Sequence, residues 1–231
     1  LVNLSDLPPY LIQTTIAAED KNFYKHFGID LEAMVRAIRY NLSNNDLQGA
    51  STITQQLVKN NLLTPEKTYT RKIKEIVLAL WAERIYSKDQ ILQMYFNEAP
   101  YGGPAWGIEA AAFTYFGKHA KELNLAESAY LAGLPASPTE YSPYGINPNS
   151  AKIRQIKVLQ RMVEEGYITQ TQAESASLEN LNIRPPKTDI KAPHFVMFVK
   201  NLLAKKYSSK VVSQGGLKIY TTLDLELQDK I

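Results

Sequence analysis

The stretch TPEKTYTRKIKEIVLALWAERI, residues 64–85, carries the strongest local signal for fold class. Thr64 reads as an N-cap and Pro65 as the first helical residue, with helix running through Arg71, Lys72, Lys74 and Glu75 to Ile85. At ~100° per residue, Ile73, Ile76, Val77 and Leu80 gather on one side, and Lys67, Arg71, Lys74 and Glu75 on the other. Outward from this stretch the helical period recurs. Leu31, Met34, Val35, Ile38 and Leu42 share one spacing, and Ile153, Ile156, Leu159, Met162 and Val163 another. Ser87 with Gln90 forms a capping-box pattern, as does Thr169 with Gln172, while Asn124 and Ser150 read as further caps. The expected fold class is mainly α.

Three interruptions set the organisation. Asn41 to Gly49 is polar and rich in turn formers, and is expected to be a mobile loop that closes over a substrate. Pro135 to Pro148 contains prolines 135, 138, 143 and 148, which excludes a helix there. Arg184-Pro185-Pro186 and Pro193 mark an irregular connector, and Gly215-Gly216 precedes Leu217, Ile219 and Thr221, a short β pattern. The expected division is a compact helical domain over 1–180 and a connector with one strand over 181–231.

Composition limits the chemistry. The 231 residues are 45% hydrophobic and 21% charged, as in a globular core, and no uncharged apolar run reaches the ~18 residues of a membrane span. With no cysteine, a disulfide framework, a zinc–thiolate site and a cysteine nucleophile are all excluded. A net charge of +3 is too small to argue for nucleic acid by itself. The chain begins at Leu1 with no signal-peptide pattern, so a piece of a longer protein is expected.

Three segments carry candidate chemistry. In Ala18 to Gly28, Glu19, Phe23 and His26 stand at i, i+4 and i+7, one face of a helix stopped by Gly28. A carboxylate beside an aromatic ring and an imidazole suits a shifted pKa, and the same residues equally suit a plain helix end. Gly49 to Asn60 brings Ser51, Thr54, Gln55, Gln56 and Lys59 close together. That surface fits a sugar or a phosphate, and it also fits an ordinary polar helix start. From 59 to 74, five cations (59, 67, 71, 72, 74) meet one acid, Glu66. Such a stripe suits a diphosphate, and it also suits a solvated face in which Arg71 and Glu75 form an i,i+4 pair worth ~0.3 kcal/mol. Together they supply two carboxylates, a polar patch and a cationic stripe, which a reaction needs if it deprotonates a sugar hydroxyl and expels a diphosphate.

At these residues the chain resembles the peptidoglycan glycosyltransferase family, the glycan-polymerising domain of class A penicillin-binding proteins. The first segment resembles E-D-x-x-F-x-x-H-x-G through Glu19, Asp20, Phe23, His26 and Gly28. The second resembles G-A-S-T-I-T-Q-Q-L-x-K-N from Gly49 to Asn60, and the third R-K-x-K-E through Arg71, Lys72, Lys74 and Glu75. A fourth motif runs over Lys88, Ile91, Leu92, Tyr95, Phe96 and Asn97, and a fifth over Arg154, Val158, Leu159 and Met162. Phe96, Lys67 and Gln155 depart from the commonest residues (Leu, Arg and Arg). Gly215 to Gln228 resembles the lead into a transpeptidase domain.

The resemblance implies a lysozyme-like fold with a large lobe and a small membrane-facing lobe. It implies lipid II as acceptor and the growing lipid-linked glycan as donor. The product is a β-1,4 strand formed with inversion, and undecaprenyl diphosphate leaves. Glu19 is the implied general base. Lys59, Arg71 and Lys74, helped by Lys67, are the implied diphosphate ligands, with Glu75 orienting them. Ser51, Thr54, Gln55, Gln56 and Asn97 are candidate sugar contacts. His26, Phe23 and Gly28 are implied structural parts, as is Asp20 unless it helps hold a divalent cation. Magnesium or manganese would come with the substrate diphosphate, and no all-protein metal site or organic cofactor is expected. The expected location is the outer face of a bacterial cytoplasmic membrane, with an N-terminal anchor and a transpeptidase domain in the longer chain and no nucleic-acid partner. A lysozyme-like hydrolase or lytic transglycosylase is the competing expectation, since it shares the paired carboxylates.

Overall fold

The computed structural model describes residues 1–43, 49–64, 66, 68–145, 147, 149–186, 191–208, 211–212 and 217–228. Two compact units divide them, Leu1–Pro185 and Pro186–Ile231. The first is a helical assembly: α1 (Pro9–Glu19), α2 (Leu31–Ser43), α3 (Ile53–Leu62), α4 (Tyr69–Ile85), α5 (Lys88–Glu98), α6 (Ile108–Tyr115), α7 (Leu125–Gly133), α8 (Asn149–Glu164) and α9 (Gln170–Leu178).

The cap chemistry explains most starts. Ser87, Asn124 and Thr169 each accept a hydrogen bond from the backbone three residues on, and Gln90, Glu127 and Gln172 return it. Thr52 and Gln55 form the same box at α3. Two expected starts move. Thr68, not Thr64, caps α4, and α8 already begins at Asn149, so Ser150 lies inside its first turn. Pro65 and Lys67 lie outside the described residues, as do residues 44–48 of the expected loop; Asn41–Ser43 belong to α2.

A large core joins Leu11, Phe23, Ile53, Ile91, Leu92, Tyr95, Phe96, Tyr101 and Ile108. A second is built largely from alanine: Ala18, Ala126, Ala129, Ala132, Ala173 and Ala176 around Val158 and Leu159. Small side chains let helix axes approach closely, so α1, α7, α8 and α9 lie tight against one another. That approach brings α8 to the C-terminal end of α1, where Glu19 stands.

One expectation about a shared face is corrected. Glu19, Phe23 and His26 do not share a helix, because α1 ends at Glu19 and residues 21–28 form turns. Asp20 ends the helix by turning its carboxylate to His26 Nε2 at 2.9 Å and to the Ile53 backbone N–H at 3.0 Å. On α4, where periodicity separates two sides without saying which is buried, the acid side turns inward. Its buried residues are Glu75, Ala79 and Glu83, whereas Ile73, Val77, Leu80 and Trp81 are exposed, Trp81 at 65%. Burying the acid side is tolerated because each carboxylate is paired: Glu75 with Arg71 and Lys72, Glu83 with Thr54 and Lys88.

In the second unit Pro193 opens a helix, α10 (Pro193–Tyr207), where a connector was expected. The expected strand at Leu217–Thr221 is not formed; these residues are irregular, and Gly215 and Gly216 lie outside the described set. Among the described residues the only β contact is an isolated bridge between Pro100 and Trp106. No helix among them is long and apolar enough to cross a membrane.

Candidate active site

Glu19 ends α1 with its carboxylate almost wholly enclosed. Gln56 Nε2 of α3 donates to Oε2 at 2.6 Å, while Oε1 is buried with no hydrogen-bond partner. Arg154 Nη2 of α8 stands 3.7 Å from that oxygen. Burial pushes the carboxyl above its ordinary value; Gln56, Arg154, Arg161 and Lys59 pull in the opposite direction without cancelling it. A carboxylate with a free lone pair and a raised pKa can accept a proton from a hydroxyl placed beside it.

The turn after Glu19 is held from several sides. Phe23 is fully buried, and Lys88 Nζ lies 4.5 Å above its ring. His26 pairs with Asp20 inside the turn. Thr52 Oγ1 donates to the Gly28 carbonyl at 2.7 Å, tying the first motif to the start of α3. Gly28 has φ of +78°, and a Cβ there would meet the Ala79 carbonyl oxygen at 2.8 Å. The close approach of this turn to α4 therefore requires glycine.

Glu75 of α4 is 1% exposed and receives Arg71 Nη1 at 2.7 Å and Lys72 Nζ at 2.5 Å. Lys72 also donates to Ser51 Oγ at 3.0 Å, linking α4 to the entrance of α3. Arg71 Nε is buried without a partner, a donor left over for an anion. Lys59 lies within electrostatic reach of both carboxylates. Its ammonium feels Glu75, Arg71, Lys72 and Glu19, and partial burial draws its pKa below the ordinary lysine value. Glu19, Lys59, Arg71 and Glu75 therefore belong to one electrostatic neighbourhood. Lys74 is exposed and makes no hydrogen bond or ion pair among the described residues. Lys67 lies outside the described residues.

The candidate sugar contacts separate. Ser51 and Gln56 border the Glu19–Glu75 region. Thr54 is buried against Glu83, and Gln55 is buried in the α3 cap. Asn97 spends its amide on Val2 and on the Gln93 carbonyl, pinning the N-terminal segment to α5. Sequence reading gave Lys72 no separate role and missed Arg161. Arg154 and Arg161, seven residues apart on α8, are the available signal, since that spacing puts both on one helix face. Among the described residues no three His, Asp or Glu side chains converge as metal ligands.

The helical fold thus holds a buried carboxylate, Glu19, within electrostatic reach of Lys59, Arg154 and Arg161. Residues 1–163 match the family described as transglycosylase, and the chain belongs to that family, the peptidoglycan glycosyltransferases. Its relatives are penicillin-binding proteins. It is 45% identical over 228 residues to penicillin-binding protein 1A of Aquifex aeolicus (strain VF5), covering 98% of this chain and 31% of that protein. It is 43% identical over 228 residues to penicillin-binding protein 1A of Neisseria lactamica, covering 97% and 28%. The chain thus spans less than a third of the length of these relatives. The crystal structure of penicillin-binding protein 1A from Haemophilus influenzae shares the fold, with a TM-score of 0.53 at 23% identity over 91% of this chain and 22% of that one.

Proposed function

We propose that this domain polymerises lipid II into β-1,4-linked glycan. Glu19 is the general base and undecaprenyl diphosphate the leaving group. The carrying observation is the Glu19 carboxylate: buried, raised in pKa, with Oε1 accepting no hydrogen bond and Lys59 in electrostatic reach of both Glu19 and Glu75. In this reading Oε1 takes the proton of the acceptor's 4-hydroxyl as that oxygen attacks the donor's anomeric carbon from the face opposite the diphosphate, giving inversion. The C–O bond to the diphosphate breaks, and the departing charge falls on Lys59, Arg71 and Lys74. Arg71 Nε and the Lys59 and Lys74 ammonium groups make no hydrogen bond or ion pair among the described residues. Glu75 holds Arg71 and Lys72 in place. A magnesium or manganese ion would be carried by the diphosphate itself, neutralising part of its charge.

The apolar exposure of α4 supports a membrane-facing site for the lipid tail. Ile73, Val77, Leu80 and Trp81 line its outer side, and Gly28 brings the segment bearing exposed Phe27 and Leu31 against the Ala79–Leu80 backbone. An exposed apolar surface of this kind beside a cationic site suits a ligand whose diphosphate sits at an interface and whose chain enters a bilayer. We place the domain, on this reading, at the outer face of the bacterial cytoplasmic membrane, with a transpeptidase domain in the longer chain.

Incubation with labelled lipid II tests the reaction. Long lipid-linked strands are the expected product, and short soluble muropeptides would favour the hydrolytic alternative. Lys59→Met is expected to lower kcat/KM for lipid II by about 10–100-fold, since a hydrogen bond to a charged group is worth ~1.5–3 kcal/mol and each 1.36 kcal/mol is about tenfold. Steady-state kinetics on folded variant checks it; an unchanged kcat/KM removes Lys59 from the site.

A further inference from the structure

The C-terminal end of a helix leaves carbonyls without intrahelical donors and carries partial negative charge. At the end of α1 that need is met from α8. Arg161 Nη1 donates to the Ala18 carbonyl at 2.6 Å, and Arg154 Nη2 reaches the same oxygen at 3.5 Å and Glu19 Oε1 at 3.7 Å. The surroundings are built for this contact. The alanine-rich packing of α1, α7 and α8 brings the helices together, and Gly133 of α7 leaves room for the Arg154 stem, where a Cβ would stand 2.7 Å from Arg154 Cγ. Just past α8, Glu165 pairs at 3.0 Å with Lys21, two residues after Glu19 in the chain.

We propose that Arg161 and Arg154 are positioning residues for Glu19: they grip the end of its helix rather than the substrate, fixing where the carboxylate stands. The proposal rests on the reading of Glu19 as the base. Two opposing influences act on that carboxylate. Burial favours the protonated form, and a base must be ionised. Arg154 and Arg161 from α8 and Lys59 and Gln56 from α3 favour the ionised form. Tyr95 of α5 and Tyr101 beyond it also feel the Glu19 charge, with Asp20 adjacent in the chain. Arg161 itself lies near Arg36 and Glu164. Removing the Arg161 charge lets burial gain, so the pH at which Glu19 ionises rises.

The test compares Arg161→Gln, Arg161→Lys, Glu19→Gln and the Arg161→Gln/Glu19→Gln double variant in the full-length protein, on lipid II, from acid to alkaline pH. Arg161→Gln is expected to lower kcat by about 10–100-fold, the scale of a slightly misplaced reacting group, with KM little changed. It should also move the acid limb of the kcat/KM profile to higher pH. Arg161→Lys, which keeps a cation, should return that limb toward its original position. In the Glu19→Gln background, loss of Arg161 should cost nothing further. A raised KM with unchanged kcat would make Arg161 a substrate ligand and overturn the proposal. So would a lowered Tm with kcat and acid limb as in the parent. If Arg161→Gln does not fold, Arg154→Gln and Arg161→Lys carry the same comparison. Glu19→Gln at the parental rate would instead sink the base reading itself, and that arm alone reports it.

Discussion

Glu19→Gln is expected to slow glycan polymerisation on lipid II by about two to four powers of ten, the usual contribution of a positioned general base. The substitution keeps the size of the side chain and can still accept from Gln56 Nε2, so the pocket should survive. Its effect on stability has the opposite sign. Burial, the largest influence, raises the folded-state pKa above the ordinary 4.5. A carboxyl raised on folding contributes stability that is fully present below its unfolded pKa and lost as the pH rises through its folded value. Above the unfolded value this carboxyl therefore costs stability, and the neutral amide removes that cost. The variant should melt at the same temperature or higher while losing the reaction, the trade expected of a residue kept for function. Initial rates on lipid II and thermal unfolding at neutral pH check both halves. A variant that melts lower and keeps its rate would assign Glu19 to the fold.

The largest stability effect is expected at Gly28. An alanine there must hold a φ of +78° and push its Cβ to 2.8 Å from the Ala79 carbonyl oxygen, which belongs to backbone in the middle of α4 and cannot rotate away. The left-handed conformation and the overpacking together should cost about 2–4 kcal/mol, or a Tm lower by about 5–15 °C. Activity should fall even where the variant is folded. Gly28 is the point at which the turn carrying Asp20, Phe23 and His26 meets the helix carrying Arg71 and Glu75, and Thr52 holds its carbonyl. Thermal unfolding of Gly28→Ala beside the parent measures the cost; an unchanged Tm would mean that the turn and α4 can separate freely.

Much of this architecture is legible in the residues because its signals are local. Ser87 with Gln90, Thr169 with Gln172, and Asn124 each begin a helix by bonding to residues three positions on, and such bonds need nothing from the rest of the chain. The face of α4 is not legible in that way. Periodicity separates Ile73, Val77 and Leu80 from Arg71 and Glu75, but which side turns inward depends on partners far along the chain. Glu83 is buried because Thr54 and Lys88 reach it, and Glu75 because Arg71 and Lys72 neutralise it. The end of α1 at Glu19 depends likewise on Ile53 and His26 claiming Asp20. Arg161 reaches Ala18 across 143 residues, a contact no local pattern encodes. A strand at Leu217 would need a second strand beside it, and alternation in one segment cannot supply that partner. The carboxylate at 19 and the cations at 59 and 71 emerge from motif resemblance, and the structure adds that Lys59 lies in the field of both acids.

The most direct measurement is a structure of this domain with an unreactive lipid II analogue bound. The account predicts the acceptor's 4-hydroxyl oxygen within about 2.6–3.2 Å of Glu19 Oε1, with the donor diphosphate resting on Lys59 and Arg71. An analogue whose diphosphate binds another face, leaving the Glu19 carboxylate without a sugar hydroxyl beside it, would contradict it.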